Sequence, residues 1–191
     1  MKSEKIDRRI KYTKTLLKNS LVDLMREYPI AKISVKMLCE TADINRSTFY
    51  AHYSDQFDLL ITLEREVITE FEKHIERHGF QKHDAQTVQG LNEILMYIAE
   101  NADLCKVLLS DYGDPNFQRE IMLLAQQKTI AELRKYQSID SRTSEYLQSF
   151  AITGALNVVQ KWLQDGMIES TEMMAEFTAR LLYKGISDFY S

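Results

Sequence analysis

The sequence predicts an all-α protein. Its 191 residues contain only two prolines, Pro29 and Pro115, and six glycines. Apolar residues recur at helical spacing, and no segment alternates apolar and polar side chains as a half-buried strand would. Long helices are therefore the default, and their start and stop signals set the organisation of the chain.

A first helix is expected over about residues 5 to 27, where Ile10, Leu17, Leu21, Leu24, Met25 and Tyr28 share one face that ends at Pro29. Ser34 is an N-cap for a short second helix through Glu40, with Ile33 and Leu38 at the N′ and N4 positions of a hydrophobic staple. The device repeats at once: Asn45 is expected to cap a third helix, with Ile44 and Phe49 as its staple. Ala42 lets the two short helices approach closely. Asp43 must turn the chain between them, and Asp tolerates the left-handed conformation better than most residues.

Ser54 is expected to cap a long fourth helix, with Asp55 in its first turn and Phe57, Leu60, Ile61, Val67, Ile68, Phe71 and Ile75 as its apolar stripe. It should run to about His78, where Gly79 ends it, and span about 36 Å at a rise of about 1.5 Å per residue. Beyond a polar stretch, helices are expected at about 86–99, 102–110, 115–136, 141–165 and 171–189, with Asp114 and Pro115 as N-cap and N1 of the third of these. This gives two domains, 1–54 and 55–191.

Hydrophobic residues make up 45% of the chain, enough for a sizeable core. Cys39 and Cys105 stand far apart, in neither a CxxC nor a zinc pattern, and read as reduced core thiols. No apolar run approaches the roughly 18 residues of a membrane span and the first residues are charged, so a cytoplasmic protein without a membrane partner is expected. The net charge of −4 is unevenly divided. Residues 1–58 hold 11 Lys and Arg against 8 Asp and Glu, whereas residues 59–191 hold 13 against 20. Within residues 1–18 seven basic residues face only Glu4 and Asp7, and such an arm could follow phosphates.

The two stapled helices frame a helix-turn-helix, whose second helix lies in the major groove with its N-terminal residues nearest the base edges. Those residues are Asn45, Arg46, Ser47, Thr48 and Tyr50, followed at the helix exit by His52 and Tyr53. Arg46 has the fork geometry for guanine O6 and N7. Ser47 and Thr48 can donate to bases or phosphates, and Tyr50 can reach a phosphate or a thymine methyl. Lys36, at the start of the supporting helix, can reach the backbone or a flanking base. Phe49 points inward as the anchor of the small core.

The stretch "ISVKMLCETADINRSTFYAHYSDQFDLL" resembles the signature of the TetR-like one-component transcriptional regulators, and the resemblance covers residues 8–60. In that signature a Ser/Thr cap and short helix lead to Ala-Gly-hydrophobic, a polar pair, Thr-hydrophobic-Tyr-x-His-Phe and a Lys-x-x-Leu-Leu helix start. Asp43 stands here for the usual glycine, Tyr53 for phenylalanine, and Gln56 for a lysine that often binds phosphate. The resemblance implies an N-terminal three-helix helix-turn-helix DNA-binding domain joined to a C-terminal helical domain that binds an effector and dimerises through its last two helices. It further implies a double-stranded DNA operator with inverted repeats, a homodimer and, most often, repression.

For the C-terminal part, Tyr97, Cys105, Tyr112, Phe117, Met122, Tyr146 and Phe150 are candidates to line an effector cavity. Ala151, Gly154, Ala155, Val158, Val159 and Trp162, with Met174, Phe177, Leu181 and Ile186, form stripes suited to a dimer interface. Glu70, His74 and His78 recur at i, i+4 and i+8 with His83 close behind, but outside a Glu-rich HExxH context, so neither a metal nor a cofactor is expected. No Gly-rich phosphate loop, GxSxG elbow or catalytic carboxylate pair appears, and no catalytic residue is assigned. The competing expectation is an adaptor of the same fold whose C-terminal domain docks a partner protein.

Overall fold

The computed structural model describes residues 2–78, 85–110, 112–133 and 140–185, and in these the side chains other than those of residues 2–7, 78, 126–133 and 141. The described residues fold into helices α1 (Lys2–Met25), α2 (Val35–Thr41), α3 (Arg46–Tyr50), α4 (Gln56–His78), α5 (Ala85–Glu100), α6 (Ala102–Leu108), α7 (Pro115–Leu133), α8 (Ser141–Gln164) and α9 (Thr171–Lys184). A 3-10 turn over Ile30–Lys32 precedes α2, and no strand occurs among the described residues. Gly79, His83, Ile186 and the side chain of His78, all named above, lie outside the described part. None of its helices is long and apolar enough to cross a membrane.

The chain divides into two compact units, the first comprising Met1–Val67 with Val107–Asp114 and the second Ile68–Lys106 with Pro115–Ser191. In the first unit α2 packs against both α1 and α3. Leu17, Leu21, Met25, Ile33, Leu38, Phe49, Leu59, Leu63, Val67 and Leu108 are at most 3% exposed and form its core. On α4 the expected stripe needs correcting. Phe57 and Ile61 are 43% and 42% exposed, and the buried face runs through Leu59, Leu60, Leu63 and Val67. Helical period locates a stripe, but which side of it becomes covered depends on neighbours distant in sequence.

The end of α2 explains the turn chemistry. The Ile44 N–H donates to the Cys39 carbonyl at 3.0 Å and the Asp43 N–H to the Glu40 carbonyl at 3.4 Å, the bond pattern of a Schellman C-cap. Asp43 occupies its left-handed position with φ 51°. Glycine carries no Cβ penalty there, so Asp43→Gly is expected to stabilise the unit by up to about 1 kcal/mol. A denaturant midpoint that falls in that variant would show the aspartate to be favoured at this turn.

The second unit is built on α5 and α9, which pack together more extensively than any other pair, with α7 and α9 each against α8. Thr87 and Gly90 on α5, and Ala175, Thr178 and Ala179 on α9, are buried small residues that permit close approach. At the junction with α4, Phe71 meets Tyr97 edge-on at 6.2 Å, and His74 Nδ1 lies 3.2 Å from Glu93 Oε2. Arg77 also reaches Glu93, at 3.6 Å, and among the described residues no three metal-ligating side chains converge.

Two residues expected at a dimer interface belong instead to the core of the chain: Trp162 is 3% exposed and Met174 7%. The Trp162 indole N–H donates to the Glu169 carbonyl at 3.0 Å across the turn from α8 to α9. That turn is a second Schellman cap, with Gly166 left-handed at φ 87° and the Met167 N–H donating to the Trp162 carbonyl. The α8 stripe therefore turns its C-terminal end inward. Ala151, Gly154, Ala155, Val158 and Leu181 stay half-buried, and Phe177 is 40% exposed.

Of the seven residues expected around an effector, three are exposed. Cys105 and Phe117 are 3% and 4% exposed, Tyr97 and Met122 are half-buried, and Tyr112, Tyr146 and Phe150 are 48%, 64% and 70% exposed. Tyr112 falls in the first unit, and Tyr146 lies under the Arg142 guanidinium at 6.0 Å. Apolar character and helical register alone did not separate these three surface rings from the interior ones.

Candidate nucleic-acid interface

Ser34 adopts an extended conformation and its hydroxyl accepts from the Met37 N–H at 3.3 Å, so α2 begins as its sequence predicts. Ile33 and Leu38, the two ends of the staple, are 2% and 0% exposed. Asn45 likewise has the extended backbone of an N-cap, but its side chain makes no capping hydrogen bond. Only its carbonyl serves α3, accepting from the Thr48 and Phe49 N–H groups at 2.9 and 3.2 Å. The expected side-chain cap is thus corrected, and the exposed Asn45 amide remains available to an outside partner.

Helix α3 has five residues, too few to be stable alone. Its anchor is Phe49, fully buried and in edge-to-face contact with Tyr50 at 5.6 Å and tilted against Tyr53 at 5.9 Å. With Phe49 pointing inward, Asn45, Arg46, Ser47 and Tyr50 point outward and Thr48 and His52 lie at the margin. Arg46 makes no ion pair among the described residues, so its fork of donors is uncommitted. Its charge opposes the burial that pushes the Cys39 thiol above its ordinary range. Lys36 is exposed on α2, 3.7 Å from Glu40, a loose pair that water screens.

Tyr53 departs from the expected set. It is only 6% exposed, and burial, aided by Glu66 and Asp58, raises its hydroxyl above the usual range. Its ring packs where the TetR-like signature has phenylalanine, which is why tyrosine fits: the aromatic body fills the core. A polar tip in sequence does not distinguish a surface tyrosine from a buried one.

The start of α4 fixes the exit from α3. Asp55, not Ser54, caps the helix, its Oδ1 accepting from the Phe57 and Asp58 N–H groups, both at 2.9 Å. Asp58 reaches back to accept from the Ser54 N–H at 2.9 Å and the Ser54 hydroxyl at 3.0 Å. These bonds hold the Asp58 carboxyl below the usual carboxylate range. Ser54 and Asp55 are both competent caps and adjacent. The carboxylate holds the position because it reaches two orphan amides at once, in the positive field of the helix start. Gln56, half-buried, is the first residue of α4.

Comparison with known proteins agrees with this architecture. Residues 86–184, just over half of the chain, match the TetR-type family described as "Transcriptional regulator C-terminal region". A TetR transcriptional regulator from Streptococcus agalactiae superposes with a TM-score of 0.64 at 24% identity, covering 95% of this chain and 99% of that one. The fatty-acid regulator FadR from Bacillus subtilis, solved with stearoyl-CoA, gives 0.67 at 13% identity over 90% of this chain and 98% of its own. The dihydroxyacetone kinase operon activator DhaS gives 0.57 at 20% identity, over 92% and 97%. At these identities the likeness is one of fold. No curated protein sequence matches significantly.

Proposed function

The chain belongs to the TetR-like family of transcriptional regulators, and from that membership we propose that it binds an inverted-repeat operator as a homodimer, represses transcription there, and releases it in response to a small-molecule effector. The observation that carries the DNA reading is the outward row Asn45, Arg46, Ser47 and Tyr50 on a helix whose only inward residue is the fully buried Phe49. A five-residue helix held this firmly gives its polar side chains defined positions against base edges. Thr48, His52 and Lys36 supply the flanking contacts.

Homodimerisation is supported by what α8 and α9 leave uncovered. Phe150 and Phe177 are 70% and 40% exposed, and a Cβ built on Gly154 would meet nothing within 4 Å. A second copy laid along this face would bury apolar surface. It would also pair two recognition helices for successive major grooves about 34 Å apart. The effector would act in the second unit. Because α4 runs continuously from the first unit into the second, it is the element through which a ligand preferring one arrangement would bias DNA binding.

Selection of bound sequences from a randomised duplex pool, at two salt concentrations, tests the proposal. Enrichment of an inverted repeat with steep salt dependence is expected. Absence of any preferred sequence would instead favour the protein-docking adaptor. On the selected site, Arg46→Ala should relax base preference at one position per half-site by roughly 1 to 3 kcal/mol. A uniform loss over all sequences would reassign Arg46 to phosphate contact.

A further inference from the structure

Two groups of exposed apolar side chains stand at opposite ends of α8. Near its start, Tyr146, Leu147 and Phe150 are 64%, 47% and 70% exposed. Beyond its end, Ile168 in the turn to α9 is 81% exposed, and Met173 in the first turn of α9 is 64% exposed. Apolar side chains scattered singly on a surface are ordinary, whereas grouped ones mark a contact.

The turn holds Ile168 outward. The Met167 N–H donates to the Trp162 carbonyl at 2.9 Å, the Trp162 indole N–H to the Glu169 carbonyl at 3.0 Å, and the Met173 N–H to the Ser170 hydroxyl at 3.2 Å. Met167 sits at φ 57°, in the left-handed region that side chains rarely adopt. With the backbone pinned on both sides, Ile168 is displayed at a defined place.

A two-fold axis relates the two groups. In a symmetric dimer, residue i of one copy meets residue j of the other, and j meets i. An axis crossing the middle of α8 lays two copies of the helix antiparallel, so the end of one lies beside the start of the other. Each apolar group is then covered by the other, twice over.

Charge favours this direction over a parallel one. Glu169 and Glu172 are exposed at the turn, and a parallel pair would set them against their own copies. At the start of α8 the Arg142 guanidinium is exposed and donates to the Tyr146 hydroxyl at 3.3 Å, while the Asp140 carboxylate is taken up by the Arg142 and Thr143 N–H groups. Glu145 lies about 140° round the helix from Phe150, and Arg142 only about 80°. The antiparallel arrangement brings this cation towards the carboxylates of the turn.

We infer that in the homodimer Ile168 and Met173 of each copy seat on Leu147 and Phe150 of the other, with Arg142 beside Glu169. The inference rests on the homodimer reading above and adds the direction and register of the interface.

The test treats the wild type, R142C, E169C and R142C/E169C with a short bismaleimide and resolves the products by denaturing electrophoresis. Cys39 and Cys105 are buried, so the wild type sets the background. From Arg142 to Gln164 α8 runs about 33 Å at about 1.5 Å per residue, too far for a link within one chain. The same separation keeps each position far from its own copy. A covalent dimer is therefore expected from R142C/E169C and from neither single variant.

Self-linking by a single variant would show a parallel or shifted register and overturn the inference. No link in a double variant that sediments as a dimer would overturn it too, while the homodimer reading stands. If the wild type sediments as a monomer at every concentration, both fall. Ile168→Ser provides an independent check, because the dimer dissociation constant should rise roughly tenfold or more while the circular dichroism spectrum stays unchanged. An unchanged dissociation constant would remove Ile168 from the interface and the inference with it.

Discussion

Replacing Phe49 by alanine is expected to destabilise the first unit by about 3 to 5 kcal/mol, a large share of the total stability of an ordinary domain. The side chain is 0% exposed and touches the rings of Tyr50 and Tyr53. Its removal leaves a cavity beneath a helix of five residues that cannot persist without its anchor. Operator binding should be lost with the fold of α3, although Phe49 itself touches no DNA. Denaturant unfolding followed by circular dichroism, with binding measured in parallel, checks this. A variant that unfolds at the wild-type midpoint would mean that Leu38, Tyr53 and their neighbours hold α3 without it. Phe49→Leu, which keeps most of the volume, should recover much of both properties.

The helix-turn-helix was legible because its determinants are local. The Ser34 cap, the Ile33 and Leu38 staple and the left-handed Asp43 each involve residues within six positions of one another, and all three stand as their chemistry predicts. Where two neighbours are equally suited to a task, sequence could not rank them. Ser54 and Asp55 are both N-cap residues, and only the bonds to Phe57 and Asp58 show which one the helix uses. Tyr53 was expected among the DNA-facing residues at the helix exit, whereas its ring is buried. On α4, Phe57 and Ile61 satisfy the helical period as well as Leu59 and Leu63 do. The choice between those faces is made by partners far along the chain, and no local pattern encodes it.

Trp162 poses the same question with the largest side chain in the second unit. A stripe of small residues ending in tryptophan signals a close helix contact but not whose helix arrives. Its 3% exposure and its hydrogen bond to the Glu169 carbonyl place it within the chain, so Trp162→Ala should cost about 3 to 5 kcal/mol of folding stability. Trp162→Phe keeps most of the apolar area while leaving that carbonyl without its donor, and should cost less. Unfolding and dimer dissociation need to be measured separately, by circular dichroism and by sedimentation across a range of protein concentration. Loss of a core anchor lowers the unfolding midpoint at every concentration. If Trp162→Ala unfolds like the wild type and only dissociates more readily, then the tryptophan works between two copies and its intrachain burial is incidental. Because it is the sole tryptophan in 191 residues, its fluorescence in the unmutated protein also reports directly whether the turn from α8 to α9 opens before the rest of the unit.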